Sequence, residues 1–254
     1  MKTIQEIAQE LKHCHAPNKW TRELKKDPRV GVQQLIESWQ NRLAKIEAVR
    51  KSHEEKRAFD VSFKNNPQDI IAGIDEAGRG PLAGPVVTAA VIFEHVHEEL
   101  MGLNDSKQLS RSKRNEFALL IKKHAISYSI HIQSPELIDE LNIYEATKVS
   151  MTQAVKQLEI QPTILLVDAM SLPLPISQHS IIKGDAKSIV IAAASILAKT
   201  TRDELMNEWD QLYPEYHFKK NAGYGTAEHL KALEQHGPTP IHRKSFEPIK
   251  SMTF

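Results

Sequence analysis

The sequence predicts an α/β protein: a mixed sheet flanked by helices, preceded by a helical N-terminal extension. Two observations predict it. Apolar residues recur with helical period through the first 57 positions, and from about residue 70 short apolar runs of strand length alternate with longer helical patterns. Such alternation argues for helices on the faces of a mixed sheet. The expected division is an extension and linker over residues 1–68 and a main domain over residues 69–254.

Thr3 and Glu6 have capping-box spacing ahead of Ile4, Ile7, Ala8 and Leu11, so residues 3–13 should form a short amphipathic helix. A loop follows through Ala16-Pro17-Asn18. Asp27-Pro28 marks the next helix start, after which Val32, Leu35, Ile36, Trp39, Leu43, Ile46 and Val49 trace one apolar face, continued by charged sequence to about Arg57. Residues 58–68, with Asn65-Asn66-Pro67, read as a linker. Ile70–Glu76, Val86–Phe93 and Ile126–Ile132 read as strands, the first two close enough in sequence to be antiparallel neighbours. Helices are expected over Ser110–His124, over most of Pro135–Leu158, from about Ser188 to Leu212, and over Thr226–His236. Two more strands, Thr163–Asp168 and Ser180–Lys183, complete the sheet.

At 254 residues, 41% apolar and 26% charged, the chain can bury a full core. No apolar run approaches the roughly 18 residues of a membrane span, and MKTIQEIAQELKH lacks the apolar stretch of a signal peptide, so the cytoplasm is expected and a membrane partner is not. A single cysteine, Cys14, forms no internal disulfide and reads as an unreactive thiol. The net charge of +1 hides an asymmetry: residues 1–68 carry 14 Lys/Arg against 9 Asp/Glu, leaving 19 against 23 elsewhere, a front of +5 and a body of −4. A basic front beside an acidic site suits a nucleic-acid partner, and equally a solvated helical surface.

The most informative segment is Ile71-Ala72-Gly73-Ile74-Asp75-Glu76-Ala77-Gly78-Arg79-Gly80. Two acids close a buried apolar run, and ionised carboxylates there are costly unless paired or bound to a metal. Acids recur at strand ends: Asp168 closes TILLV, and Asp185 stands where a short strand passes into a helix. Any single Asp at a strand end is more often a cap or turn residue. Four converging carboxylates without Cys or clustered His favour a hard ion, Mg²⁺ or Mn²⁺, over zinc. Two such ions, ~3.5–4 Å apart, are a means of hydrolysing a phosphodiester in line.

GIDEAGRGPLAGPVV, LNDSKQLS, LLVDAM, KGDAKS, AAASILAKTTRD, GYGTAEH and PIHRKSF, in that order over roughly residues 70–250, make the chain resemble bacterial ribonuclease HII, the type 2 ribonuclease H family. The resemblance implies a ribonuclease H-like fold and an endonuclease that cuts the RNA strand of RNA–DNA hybrids. It also implies cleavage 5′ of ribonucleotides embedded in duplex DNA, leaving 3′-hydroxyl and 5′-phosphate ends. By the same resemblance Asp75, Glu76, Asp168 and Asp185 are the metal-binding acids. The resemblance further implies that Gly78, Arg79 and Gly80 contact the ribose edge and phosphate, and that Tyr224, between Gly223 and Gly225, packs on the following deoxyribose.

Lys107, Lys187, Lys199 and Arg202 are candidate phosphate contacts, with Ser195 one helical turn from Lys199. Asp105 reads as a turn acid, Tyr144 as a packing residue, and His242 and Arg243 as structural anchors of the C-terminal segment. Two alternatives stand beside the nuclease. Ribonuclease HIII carries a β-rich front and commonly a glutamate as fourth acid, whereas this front is helical by pattern and residue 185 is Asp. A non-catalytic hybrid-binding module would not require all four acids. The extension's apolar faces are expected to pack on the main domain, with hybrid docking the other use. A monomer is expected, and Lys250–Phe254 forms no convincing clamp-binding peptide, which leaves a sliding clamp open.

Overall fold

The computed structural model describes residues 2–252, so the last two residues of the 250–254 tail lie outside the described part. Two compact units divide between Glu54 and Glu55. In the first, helix α1 (Ile4–Lys12) opens with the expected reciprocal bonds: the Glu6 amide donates to the Thr3 hydroxyl and the Thr3 amide to the Glu6 carboxylate. Helix α2 (Lys19–Leu24), which sequence periodicity did not predict, opens the same way with Asn18 and Thr21. Six residues are too few for a 3.6-residue period to show. Helix α3 (Val30–Val61) buries Val32, Ile36 and Trp39 against Ile7, Leu11 and Leu24, and the Trp39 indole donates to the Cys14 carbonyl at 2.7 Å. The apolar face stops near Leu43; Ile46 and Val49 are exposed.

The second unit is built on a five-stranded sheet. Its strands are β1 (Ile71–Ala77), β2 (Val86–Ile92), β3 (Ser127–Gln133), β4 (Ile164–Asp168) and β5 (Ser177–Ile181), in the order β3-β2-β1-β4-β5. β1–β2 and β2–β3 are antiparallel, as the short β1–β2 connection predicts, while β4 lies parallel to β1 and β5 parallel to β4. Helices α4 (Arg111–His124), α5 (Pro135–Leu141), α6 (Ile143–Lys156), α7 (Gly184–Lys187), α8 (Ile189–Leu212), α9 (Phe218–Asn221) and α10 (Ala227–His236) complete it. Val87, Ala89 and Val91 bury one sheet face against α4 and α8. Ala72, Ile74, Leu165 and Val167 bury the other against Met151, Ala154 and Val155 of α6. This is the helix-flanked mixed sheet that the sequence predicts.

Three boundaries differ from the sequence reading. The helical stretch 135–158 breaks at Asn142, whose φ of 69° ends α5 and whose side chain accepts from the Tyr144 and Glu145 amides to start α6. β5 covers Ser177–Ile181 instead of Ser180–Lys183, because pairing with β4 sets the strand and its sequence, SQHSI, is too polar to announce one. Lys183 adopts the left-handed conformation at the start of α7.

The third difference matters most for the site: α3 runs past Arg57 into the predicted linker, and there Asp60 is buried and accepts from the Ile189 and Val190 amides at 2.9 and 3.2 Å. A carboxylate thereby satisfies the orphan donors that open α8. Gly73 explains how close α8 comes to β1. A β-carbon at Gly73 would stand 2.1 Å from the Val190 carbonyl carbon, so only glycine lets this helix lie on this strand.

Burial raises the Asp60 carboxyl to about 6, against 3.8 when unperturbed, an effect its amide partners and Lys56 only partly offset. The folded state therefore holds a proton that the unfolded chain releases between these values, so this group's contribution to stability falls as pH rises through that window. Asp60→Asn should flatten the stability profile between pH 4 and 6.5 by on the order of 2–3 kcal/mol. Denaturant unfolding at several pH values measures it; parallel curves for the two proteins would contradict the assignment.

Candidate active site

The parallel pairing of β1 with β4 sets the site. Ile74 lies opposite Val167, so the next residues, Asp75 and Asp168, emerge side by side at the C-terminal ends of neighbouring strands. One ligand oxygen from each of Asp75, Glu76 and Asp168 lies within 4.8 Å of the others. Asp75 is only 4% exposed; its Oδ1 accepts from the Glu76 amide at 2.7 Å, and its carboxylate also bonds the Ser195 side chain. Asp168 Oδ1 accepts from the Gly184 amide at 2.7 Å, which ties the start of α7, and with it Asp185, to the end of β4.

Asp185 is not part of the tight trio. It lies half-buried beside Asp105, with which it shares a hydrogen bond, and close enough to Asp168 to be raised by that charge. All three groups with a resolved shift move the same way. Burial, then the Glu76 and Asp168 charges, hold the Asp75 carboxyl well above the usual carboxylate range. Burial also raises Glu76, opposed by Arg79, whose Nη1 stands 3.6 Å from Glu76 Oε1, and by Lys107. Burial and the Asp105 and Asp168 charges raise Asp185. A cluster that resists its own ionisation and offers only oxygen donors is matched to a hard divalent cation.

The other expected residues are placed as follows. Gly78, Arg79 and Gly80 follow β1 as a turn, with Gly78 at φ +96°. A β-carbon at Gly78 would stand 2.1 Å from Arg202 Nε, which leaves no alternative to glycine. Tyr224 is 50% exposed, and its Cε1 lies 3.5 Å from where a Gly80 β-carbon would stand, so ring and turn share one surface. Lys107 is exposed and within electrostatic reach of Glu76. Ser195 lies behind the acids, 4% exposed, its hydroxyl 3.1 Å from that of Ser106 as well as bonded to Asp75. Lys199 pairs with Asp203 at 2.6 Å and borders a cleft shared with Arg111, Arg114, Lys219 and Lys220.

Two readings need correction. Arg202 is 1% exposed and donates to the carbonyls of Ala83, Pro85 and Ala222, so it is a structural guanidinium and no phosphate contact. Tyr144 is exposed, with Lys148 Nζ 6.0 Å from its ring centre, and packs in no core. Sequence reasoning also missed the fastenings. Lys56 Nζ donates at 2.6 Å to Asn104 Oδ1 and at 3.3 Å to the Leu103 carbonyl, holding the loop that carries Asp105 and Lys107. Asp105 is the expected turn acid, accepting from the Lys107 amide at 2.8 Å, and additionally neighbours Asp185. Arg243, fully buried, donates to the carbonyls of Gly84 (2.9 Å), Arg79 (2.9 Å) and Gly78 (2.5 Å). His242 Nε2 meets His229 Nε2 at 2.9 Å, so this segment is anchored as expected.

An oxygen-rich acidic cluster at the ends of parallel strands, in a helix-flanked mixed sheet, marks a metal-dependent nuclease of the ribonuclease H class. The family model described as "Ribonuclease HII" matches residues 72–249, and that of the "Ribonuclease HII N-terminal domain" matches residues 3–64. Ribonuclease HII of Lactobacillus helveticus is 50% identical over 97% of this chain and 98% of that protein; the Bacillus subtilis protein of the same name is 47% identical over 99% and 97%. The crystal structure of ribonuclease H2 from Pyrococcus horikoshii superposes with a TM-score of 0.61 at 28% identity, covering 72% of this chain and 96% of that one. The chain belongs to the ribonuclease HII family, divalent-metal-dependent endonucleases that hydrolyse the RNA of RNA–DNA hybrids.

Each carbonyl that Arg243 holds is fixed by a planar fork donating from a buried position, where an unmatched partner costs about 1–3 kcal/mol. Arg243→Lys, which keeps the charge and loses the fork, should lower unfolding free energy by at least that amount and raise KM for a hybrid substrate more than it lowers kcat. Unfolding curves and steady-state kinetics check this; a variant with unaltered KM would show that the turn keeps its shape unaided.

Proposed function

We propose that this chain cuts on the 5′ side of ribonucleotides, in hybrids and singly embedded in duplex DNA, leaving 3′-hydroxyl and 5′-phosphate ends. The observation that carries the reading is the convergence of Asp75, Glu76 and Asp168 within 4.8 Å, with Asp185 tethered alongside through Gly184. These four acids are the proposed ligands of Mg²⁺ or Mn²⁺, two ions during catalysis. When bound, such ions activate the attacking water and stabilise the leaving oxygen. The protein's share is orientation: the Glu76 amide and Ser195 fix Asp75, the Gly184 amide fixes Asp168, and Asp105 flanks Asp185.

The turn after β1 supplies the sugar recognition. In a planar trans peptide the carbonyl of one residue and the amide of the next point opposite ways. Because the Gly78 and Arg79 carbonyls face the buried Arg243, the amides of Arg79 and Gly80 face away from it. We assign those amides to the ribose 2′-oxygen, and the Tyr224 ring beside Gly80 to the neighbouring deoxyribose. A 2′-hydroxyl both donates and accepts, so a site of fixed donors distinguishes it from a 2′-hydrogen. Lys107 and the cleft lined by Arg111, Lys199, Lys219 and Lys220 are the proposed phosphate contacts; Ser195, from its place behind Asp75, serves the acid first. The protein is proposed to act as a monomer in the cytoplasm; among the described residues no helix is long and apolar enough to cross a membrane.

On a DNA duplex with one internal ribonucleotide, the product map with Mg²⁺ or Mn²⁺ added in turn should show a single cut 5′ of the ribonucleotide. Asp75→Asn should lower cleavage by at least about a thousandfold while retaining binding. Cleavage at wild-type rates would remove Asp75 from the chemistry. The extension is proposed to contribute no direct strand contact. Deleting residues 2–54 spares Lys56 and Asp60, which a deletion to residue 68 would remove, and should leave the salt slope of hybrid affinity unchanged. A slope shallower by about one unit or more would place a phosphate contact in the extension.

A further inference from the structure

A second group of ligand-bearing side chains lies apart from the acids. β2 runs antiparallel to β1, with Ala89 opposite Asp75 and Ile92 opposite Ala72, so the chain beyond Ile92 leaves the sheet at the end away from the active site. There His97 caps a short 3₁₀ turn, Glu98–Leu100, and His124 is the last residue of α4. Ligand atoms of His97, Glu99 and His124 all lie within 4.8 Å of one another.

The geometry points to a surface site for a borderline transition-metal ion such as Zn²⁺, held by His97, Glu99 and His124. Donor chemistry separates it from the catalytic cluster: two imidazoles and one carboxylate suit zinc, nickel or copper, whereas the acids at Asp75 offer oxygen alone. His124 Nε2 stands 2.5 Å from Glu99 Oε2, and His97 Nδ1 stands 3.6 Å from the same oxygen. The Glu99 amide donates to His97 Nδ1 at 3.2 Å, so that nitrogen is an acceptor whose lone pair the amide holds until the ring turns. A cation held by the turned ring and the carboxylate exchanges that one amide bond for two metal bonds. Hydrogen bonds from Lys123 and His124 keep the Glu99 carboxyl down at about 2, hence ionised.

The two imidazole rings stack, their centres 4.0 Å apart and their planes 10° from parallel. Coordination of one ion requires the stack to open and the Glu99 amide to release His97, whose side chain is 52% exposed and turns into water. Lys123 also holds Glu99 Oε2, at 2.9 Å, and the ion displaces it together with the proton that His124 Nε2 donates there, which leaves to solvent; the Lys123 side chain is 61% exposed, so its ammonium passes readily to water. The ion would join the segment after β2 to the end of α4, and binding to the folded state alone raises the melting temperature.

The test is calorimetric titration of the whole protein with Zn²⁺ in the presence of saturating Mg²⁺, beside His97→Ala, His124→Ala and Glu99→Gln. Wild type should bind one equivalent of zinc and melt at a higher temperature with it. Each histidine variant should bind more weakly by over about 100-fold, the upper range for loss of an outer partner of a metal ligand. All three variants should keep Mg²⁺-dependent cleavage of the hybrid. Copper(II) electron paramagnetic resonance gives a readout independent of stability: coupling to two imidazole nitrogens in wild type and to one in His97→Ala. Absence of one-equivalent zinc binding, or binding that both histidine variants retain, overturns the site and leaves an ordinary surface ion pair, with the nuclease assignment untouched.

Discussion

The structure turns on a single repulsion. Parallel pairing of β1 and β4 brings Asp75 and Asp168 to the same sheet end, and Glu76 joins them, in a place where burial already penalises charge. Left alone, such a cluster would splay apart or keep its protons. It does not splay, because Asp75 is held by the Glu76 amide and Ser195, Asp168 by the Gly184 amide, and Glu76 stands near Arg79; it does resist ionisation, with Asp75 and Glu76 both raised by burial. The arrangement holds like charges together at an electrostatic cost that a divalent cation would relieve.

What holds those holders in place is buried and polar. Ser195 rides on α8, which reaches β1 only because Gly73 has no side chain and which opens on the Asp60 carboxylate. Arg202, from the same helix, fills the space beside Gly78 and gathers three carbonyls; Arg243 gathers three more, two from the turn at Gly78 and Arg79 and one from Gly84. Desolvation lowers both guanidinium groups, Arg202 to about 10 and Arg243 to about 9, yet each stays charged at neutral pH and each matches its charge with oxygen dipoles in place of carboxylates. A carboxylate partner here would add negative charge a few residues from the acidic cluster. Carbonyl partners satisfy the donors without doing so.

Much of this was legible in the residues. The apolar runs ending in Asp75 and Asp168 announced both strands and their functional ends, since burial and charge conflict openly there. The Ser110–His124 and Ser188–Leu212 patterns gave α4 and α8 to within a residue. What stayed hidden depends on tertiary partners. Asp60 looked like linker because nothing in its neighbours in sequence reveals that its carboxylate caps a helix 129 residues away. Arg202 looked like a phosphate ligand because a helical arginine one turn from Lys199 has the same local signature whether it faces solvent or a set of carbonyls. Lys56 carried no signal at all: its role appears only once the Leu103–Asn104 loop lies beside it.

The same contrast shows what the turn after β1 would bring to the sugar recognition proposed for it. A side chain long enough to reach a 2′-oxygen keeps rotamer freedom that must be frozen on binding, on the order of 0.5–1.5 kcal/mol for each immobilised group. The Arg79 and Gly80 amides have no such freedom, because their peptide planes are fixed from behind by Arg243. Gly78 accepts a positive φ that turns the chain away from β1, and the turn stays within reach of the acids because it begins two residues after Glu76. One short stretch of chain thereby fixes both groups: the strand fixes where the acids stand, and the buried arginine fixes how the Arg79 and Gly80 amides point.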